Sequence, residues 1–132
     1  MVINLKKQGY FREMPHADET DPSITEFLGN RINCSEKEKI CNYLNSGIVL
    51  VACYGLSTDV INPKRGFSGC PSMLTDGIWV WPGDLAYYVS EYSLYLKDEF
   101  IDTMIANRWT ISLNEKDIDY DNLLIEGKKL IE

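Results

Sequence analysis

Residues 75–92, TDGIWVWPGDLAYYVSEY, constrain the fold of this chain more than any other stretch. Thr-Asp-Gly is turn chemistry, with Asp76 and Gly77 suited to a tight hairpin. In the strand that follows, Trp79 and Trp81 share one face while Ile78 and Val80 share the other. A strand apolar on both faces should be buried on both. Pro82 ends it and opens a helix. Leu85, Tyr88, Val89 and Tyr92 then recur at helical spacing as one inward stripe. The stretch holds two of the three tryptophans and three of the eight tyrosines, and this spacing assigns most of them to the core. Tyr87 falls off the stripe, beside Asp84, Ser90 and Glu91, and is the aromatic residue to watch as a surface anchor.

Residues 1–19 read as an irregular lead-in, with Pro15 blocking a helix. A helix is expected over 20–29, capped at Thr20 or Asp21, with Pro22 in its first turn and Gly29 as its stop. A second is expected to start at Ser35, which with Glu38 matches a capping box, and to end at Gly47. IVLVACY, 48–54, is apolar throughout and reads as a central strand. Residues 55–71 are rich in Gly, Pro, Ser and Asn and read as a long loop, with a short edge pairing near Asp59. A helix over 97–108 should bury Phe100, Ile101, Met104 and Ile105. WTISL reads as a short strand, and the tail from Asp121 as an amphipathic helix. The sum is one α+β domain over residues 1–132, with a small, mostly antiparallel sheet packed with four to five helices.

Charge and motif content narrow function mainly by exclusion. A formal net charge of −7 and a pI near 4.7 argue against a nucleic-acid binder, which needs a basic face. The same balance suits a protein with a basic partner. No apolar run is long enough to span a bilayer and the N-terminus lacks a signal-like core, so a cytoplasmic, non-membrane protein is expected. The four cysteines form no C-x-x-C pair and stand apart from the single histidine, so reduced thiols and no metal are expected. DIDYD resembles the start of a calcium loop, but Asn122 and Lys128 occupy the positions that require Gly and Glu. No phosphate-binding glycine motif occurs, and no cofactor is implied. His16 could act in acid–base chemistry beside Asp18, Glu19 and Asp21, yet no nucleophile motif accompanies it, so the chain reads as a non-enzyme.

With FREMPHADETDPSI, YLNSGIVLVACYG and TDGIWVWPGDLAYYV in view, the chain resembles a group of small bacterial proteins. Their pattern is an aromatic, an acidic residue and PH near the start, a YL-x-S-G helix end, and TDG-x-W-x-WP leading to L-x-Y-Y-V. The likeness covers most of residues 10–110. These proteins are similar to immunity proteins encoded beside polymorphic or contact-dependent toxins. The resemblance implies a monomer or weak homodimer that neutralises a cognate toxin, such as a basic nuclease domain, by stoichiometric binding. The residues available for such an interface are Tyr10, Phe11, His16, Asp18, Glu19, Asp21, Asp84, Tyr87 and Glu91. The alternative is a small ligand-binding or enzymatic domain with a pocket near His16 and the Thr75–Gly77 turn.

Overall fold

The computed structural model describes residues 3–15, 17–29 and 34–130, with the side chains of Cys34 and Ser35 set aside. The expected cap at Ser35 and any role of His16 therefore lie outside the described residues. The chain forms a six-stranded, curled half-barrel sheet carrying three α-helices, and a separate two-stranded hairpin. In chain order the elements are β1 (Ile3–Lys7), α1 (Cys34–Asn45), β2 (Ile48–Val51), β3 (Ser57–Thr58), β4 (Phe67–Gly69), β5 (Met73–Thr75), β6 (Trp79–Pro82), α2 (Leu85–Tyr92), α3 (Asp98–Ala106), β7 (Leu123–Ile125) and β8 (Lys128–Lys129). The order in the large sheet is β2-β5-β6-β1-β7-β8, and β3 pairs with β4. No helix among the described residues is long and apolar enough to cross a membrane.

This corrects the expected architecture of four to five helices on a small sheet. The segment 20–29 makes only a 3-10 turn, Ile24–Phe27, capped by Ser23 and Glu26 rather than by Thr20 or Asp21. The tail forms a β-hairpin instead of a helix. Glu126 and Gly127 both take positive φ, 50° and 83°, which turns the chain back on itself before amphipathic spacing can matter. The lead-in contains β1, paired in parallel with β6 on one side and β7 on the other. Two of the five pairings in the large sheet are thus parallel, so the sheet is mixed. WTISL forms no strand, because Arg108 and Trp109 leave α3 with positive φ. β2 lies at the sheet edge rather than its centre, with Val49 and Val51 exposed on either side of buried Leu50.

Strand β6 is buried on both faces from Trp79 to Pro82, but Ile78, expected to share the buried face of Val80, lies before the strand and is 46% exposed. Trp79 and Trp81 enter the larger core with Leu85, Tyr88, Val89, Phe100 and Met104, while Val80 enters a second core with Leu5, Leu50, Ile118 and Leu123. Each fully buried side chain of this size contributes roughly 2–3 kcal/mol. The indoles are also hydrogen-bonded: Trp81 Nε1 donates to the Leu44 carbonyl and Trp79 Nε1 to Thr103 Oγ1, each at 3.0 Å. The hairpin before β6 is closed by its own side chains. Asp76 Oδ1 accepts from the N–H groups of Ile78 and Trp79, and Asp76 Oδ2 from the Tyr43 hydroxyl at 2.6 Å. The Thr75 hydroxyl donates to the Trp79 carbonyl. The Thr75–Gly77 turn is therefore a structural clasp. Helix α2 begins at Leu85, three residues later than Pro82 predicts, because Pro82 still belongs to β6. In α3, Phe100 and Met104 are buried as expected, but Ile105 is exposed.

Candidate binding cleft

The long segment between β2 and β5 is pinned to α2 by a buried carboxylate. Asp59 is 0% exposed and accepts four hydrogen bonds. Its Oδ1 takes the N–H groups of Ile61 and Asn62, and its Oδ2 takes the hydroxyls of Tyr87 at 2.7 Å and Tyr92 at 2.6 Å. Burial pushes the Asp59 carboxyl up, but the donors, led by Tyr92, outweigh it and hold it below the usual value. The same contact with Asp59, with burial second, pushes the Tyr87 hydroxyl up to about 12. The Tyr88 hydroxyl accepts from the Val60 N–H, and Arg65 pairs with Glu91 at 2.7 Å. Tyr87 and Glu91 thus anchor the 57–69 hairpin to the helix, a task no spacing rule reveals.

The pinned segment walls an open cleft of about 530 Å³, rimmed by Glu13, Pro15, Tyr54, Leu56, Pro63 and Pro71. Tyr54 is 98% exposed and Leu56 59%, two large side chains open to solvent within three positions of each other. Below the cleft lies a smaller pocket of about 30 Å³, and the two share Pro15, Ser57, Thr58, Val60 and Pro71. Tyr10, Asp84 and Tyr88 line the pocket with Met14 and Pro82. Among the described residues, no lysine, arginine or histidine lines the cleft or the pocket.

Asp84 is the counterpart of Asp59 with the opposite electrostatic outcome. It is 4% exposed, and its Oδ2 accepts from the Ser68 hydroxyl at 2.8 Å. Its Oδ1 is buried without a hydrogen-bond partner, as is the Tyr10 hydroxyl in the same pocket. Burial raises the Asp84 pKa, opposed only in part by Ser68 and its own backbone N–H. A carboxyl whose folded pKa is raised contributes stability below its unfolded pKa of about 4, and that contribution is lost as pH rises through the folded pKa. Asp84→Asn removes the ionisation while keeping an acceptor for Ser68. The variant should match the parent near pH 4 and melt a few degrees (roughly 3 °C) higher at neutrality. Melting curves at several pH values test this, and a lower melting temperature at neutrality would refute it.

The structure divides the other sequence-predicted site residues. Phe11 is 0% exposed inside the main core, so it is no surface anchor. Asp18 and Asp21 are ion-paired with Lys7 of β1 at 3.1 and 2.9 Å, and Lys7 in turn lies over the Tyr10 ring. These carboxylates hold the 17–22 segment to the sheet, so reversing their charge would strain the fold as well as any interface. Glu19 is exposed. Glu13 is tied to Ser23 and the Ile24 N–H, which hold its carboxyl below its usual pKa against a larger opposing effect of burial. Among the described residues, Tyr10 and Asp84 of the expected set meet in the pocket beneath the cleft, and Tyr10, Asp18 and Asp21 line a second, open depression beside Lys7. Leu56, Tyr54 and Ser68 were missed because each sits in a polar or glycine-rich loop with no periodicity to mark it.

Cys41, Cys53 and Cys70 are free thiols, and no group of three or more His, Cys, Asp or Glu side chains among the described residues could hold a metal ion. Comparison with protein-family models, curated proteins and solved structures gives no match.

Proposed function

We propose that this chain is an immunity-type binding protein, without catalytic activity, that neutralises a cognate bacterial toxin in the cytoplasm by one-to-one association. One observation carries the binding role: the uncharged edge strand β2 runs directly into Tyr54 and Leu56, exposed on the rim of a cleft with no lysine or arginine among its described lining residues. Proteins protect free strand edges with charge, as β8 does here with Lys128 and Lys129, and β2 has no such protection. An apolar edge of this kind suits strand addition by a partner, with Tyr54 as the aromatic anchor. The net charge of −7 favours a basic partner through faster association. The toxin itself comes from the resemblance of TDG-x-W-x-WP-x-x-L-x-Y-Y-V to immunity-like proteins; within this chain that motif builds the core.

Calorimetric titration with the C-terminal domain encoded by the adjacent upstream gene tests the proposal. Nanomolar one-to-one binding is expected. The double variant Tyr54→Ala, Leu56→Asp should weaken it at least ~30-fold, with the melting temperature unchanged within about 1 °C. Absence of binding between two folded proteins would overturn the reading, and so would binding indifferent to those substitutions. A small-ligand role is the second reading, and the pocket beneath the cleft favours it.

A further inference from the structure

The pocket under the cleft combines three properties that ordinary packing does not require. It holds a carboxylate oxygen, Asp84 Oδ1, with no donor, on a side chain 96% buried (100% less its 4% exposure). It holds a second shielded and unpartnered polar atom, the Tyr10 hydroxyl. Its remaining walls are mostly apolar, from Met14, Pro15, Val60, Pro71 and Pro82, with Ser57 and Thr58 at the junction with the cleft. Buried polar atoms are almost always paired, and two orphans on residues that line one cavity point to an occupant that completes them.

The chemistry of that occupant follows from charge, size and access. Asp84 repels anions, and Lys7, whose ammonium lies 5.2 Å over the Tyr10 ring, is already paired with Asp18 and Asp21. A neutral occupant would satisfy hydrogen bonds but leave the carboxylate charge buried. The cavity is small, about 30 Å³, which suits an ammonium, the most compact cationic head a side chain carries. An ammonium offers three donors, enough for Asp84 Oδ1 and the Tyr10 oxygen together, and the rings of Tyr10 and Tyr88 favour a cation. Pro15, Pro71 and Val60 continue from the pocket into the cleft and provide apolar surface for a methylene stem.

We propose that this pocket is a receptor for a primary alkylammonium group, with Asp84 as counter-ion and Tyr10 as the second hydrogen-bond partner. The group is either a lysine side chain of a bound protein or a free amine; both present the same head and stem. The inference does not depend on a toxin: its test needs no protein partner, and its failure would leave the β2 edge untouched.

The experiment is an amide chemical-shift titration of the isotopically labelled protein with n-butylammonium chloride, against n-butanol as the uncharged match. Saturable shifts confined to residues 57–60, 84 and 88 are expected with the ammonium, with saturation below about 100 mM. Asp84→Asn should weaken binding ~10-fold or more and Tyr10→Phe a few-fold (roughly 3-fold), with both spectra otherwise remaining those of the folded protein. Equal responses to butanol and butylammonium would overturn the proposal, as would no saturation at all, which would make the cavity a water site. Binding indifferent to both substitutions would overturn it too. If binding occurs, a capped lysine peptide and 1,4-diaminobutane separate the two sources: tighter binding of the peptide assigns the site to a protein partner, tighter binding of the diamine to a metabolite.

Discussion

Replacing Asp59 by alanine should destabilise the protein by about 3 kcal/mol, lowering its melting temperature by roughly 10 °C. The side chain is 0% exposed and accepts from two tyrosyl hydroxyls and two backbone N–H groups. Its removal leaves all four unpaired, at about 1–3 kcal/mol for each group that water does not reach. Tyr87 and Tyr92 are half-buried, so water recovers part of that loss, which brings the total toward the lower figure. The loss is local as well as global. Amide exchange at residues 60–62 should accelerate ahead of the sheet, since Asp59 is what ties that turn to α2. Because its hydrogen bonds hold the Asp59 pKa below normal, its contribution is present at neutrality and is lost as pH falls through that depressed value, below about 4. A melting temperature within about 2 °C of the parent would show that the hairpin is held by other contacts.

Gly83→Ala should cost a comparable amount, about 3 kcal/mol, through sterics alone. A Cβ at this position would lie 2.5 Å from the backbone oxygen of Cys70 and 3.4 Å from that of Ser72. The Gly83 N–H also donates to the Ser72 carbonyl at 2.7 Å, so the two backbones cannot separate without breaking that bond. Gly83 is absent from the residues with positive φ, so the requirement is for close approach and not for an unusual dihedral. This approach joins the 70–72 segment to the residue before Asp84, and Pro71 and Asp84 both line the pocket. Thermal melts check the effect. Loss of n-butylammonium binding in whatever fraction remains folded would show that the approach also shapes the pocket. Wild-type stability in this variant would mean that the 70–72 segment yields easily.

These two positions show where reading the chain succeeds and where it stops. Gly83 sits within WPGDL, and its neighbours Trp79, Trp81, Leu85, Tyr88 and Val89 are all where their spacing puts them, in the core. Nothing in one dimension says that Cys70 will come within contact of Gly83. Asp59 and Asp84 are alike in sequence, each an acidic residue in a turn-rich stretch. One gathers four donors and is held ionised, while the other gathers a single donor, Ser68, from elsewhere in the chain and has its pKa raised by burial. That difference arises from which side chains arrive from elsewhere in the chain.

The local sequence determined the features that depend on neighbouring residues alone: the closed turn at Asp76, the doubly buried strand β6, the inward stripe of α2 and the start of α3. Each rests on periodicity or on a side chain bonding its own backbone. Tertiary structure decided the rest. β1 is a strand because β6 and β7 flank it, with Ile3 beside Leu123 at opposite ends of the chain, and five residues are too few to announce that pairing. β2 looks central by composition and is an edge by topology, which leaves Val49, Val51, Tyr54 and Leu56 exposed. Hydrophobicity dictates that a segment should be covered, but only the assembled sheet determines whether the chain itself supplies the cover.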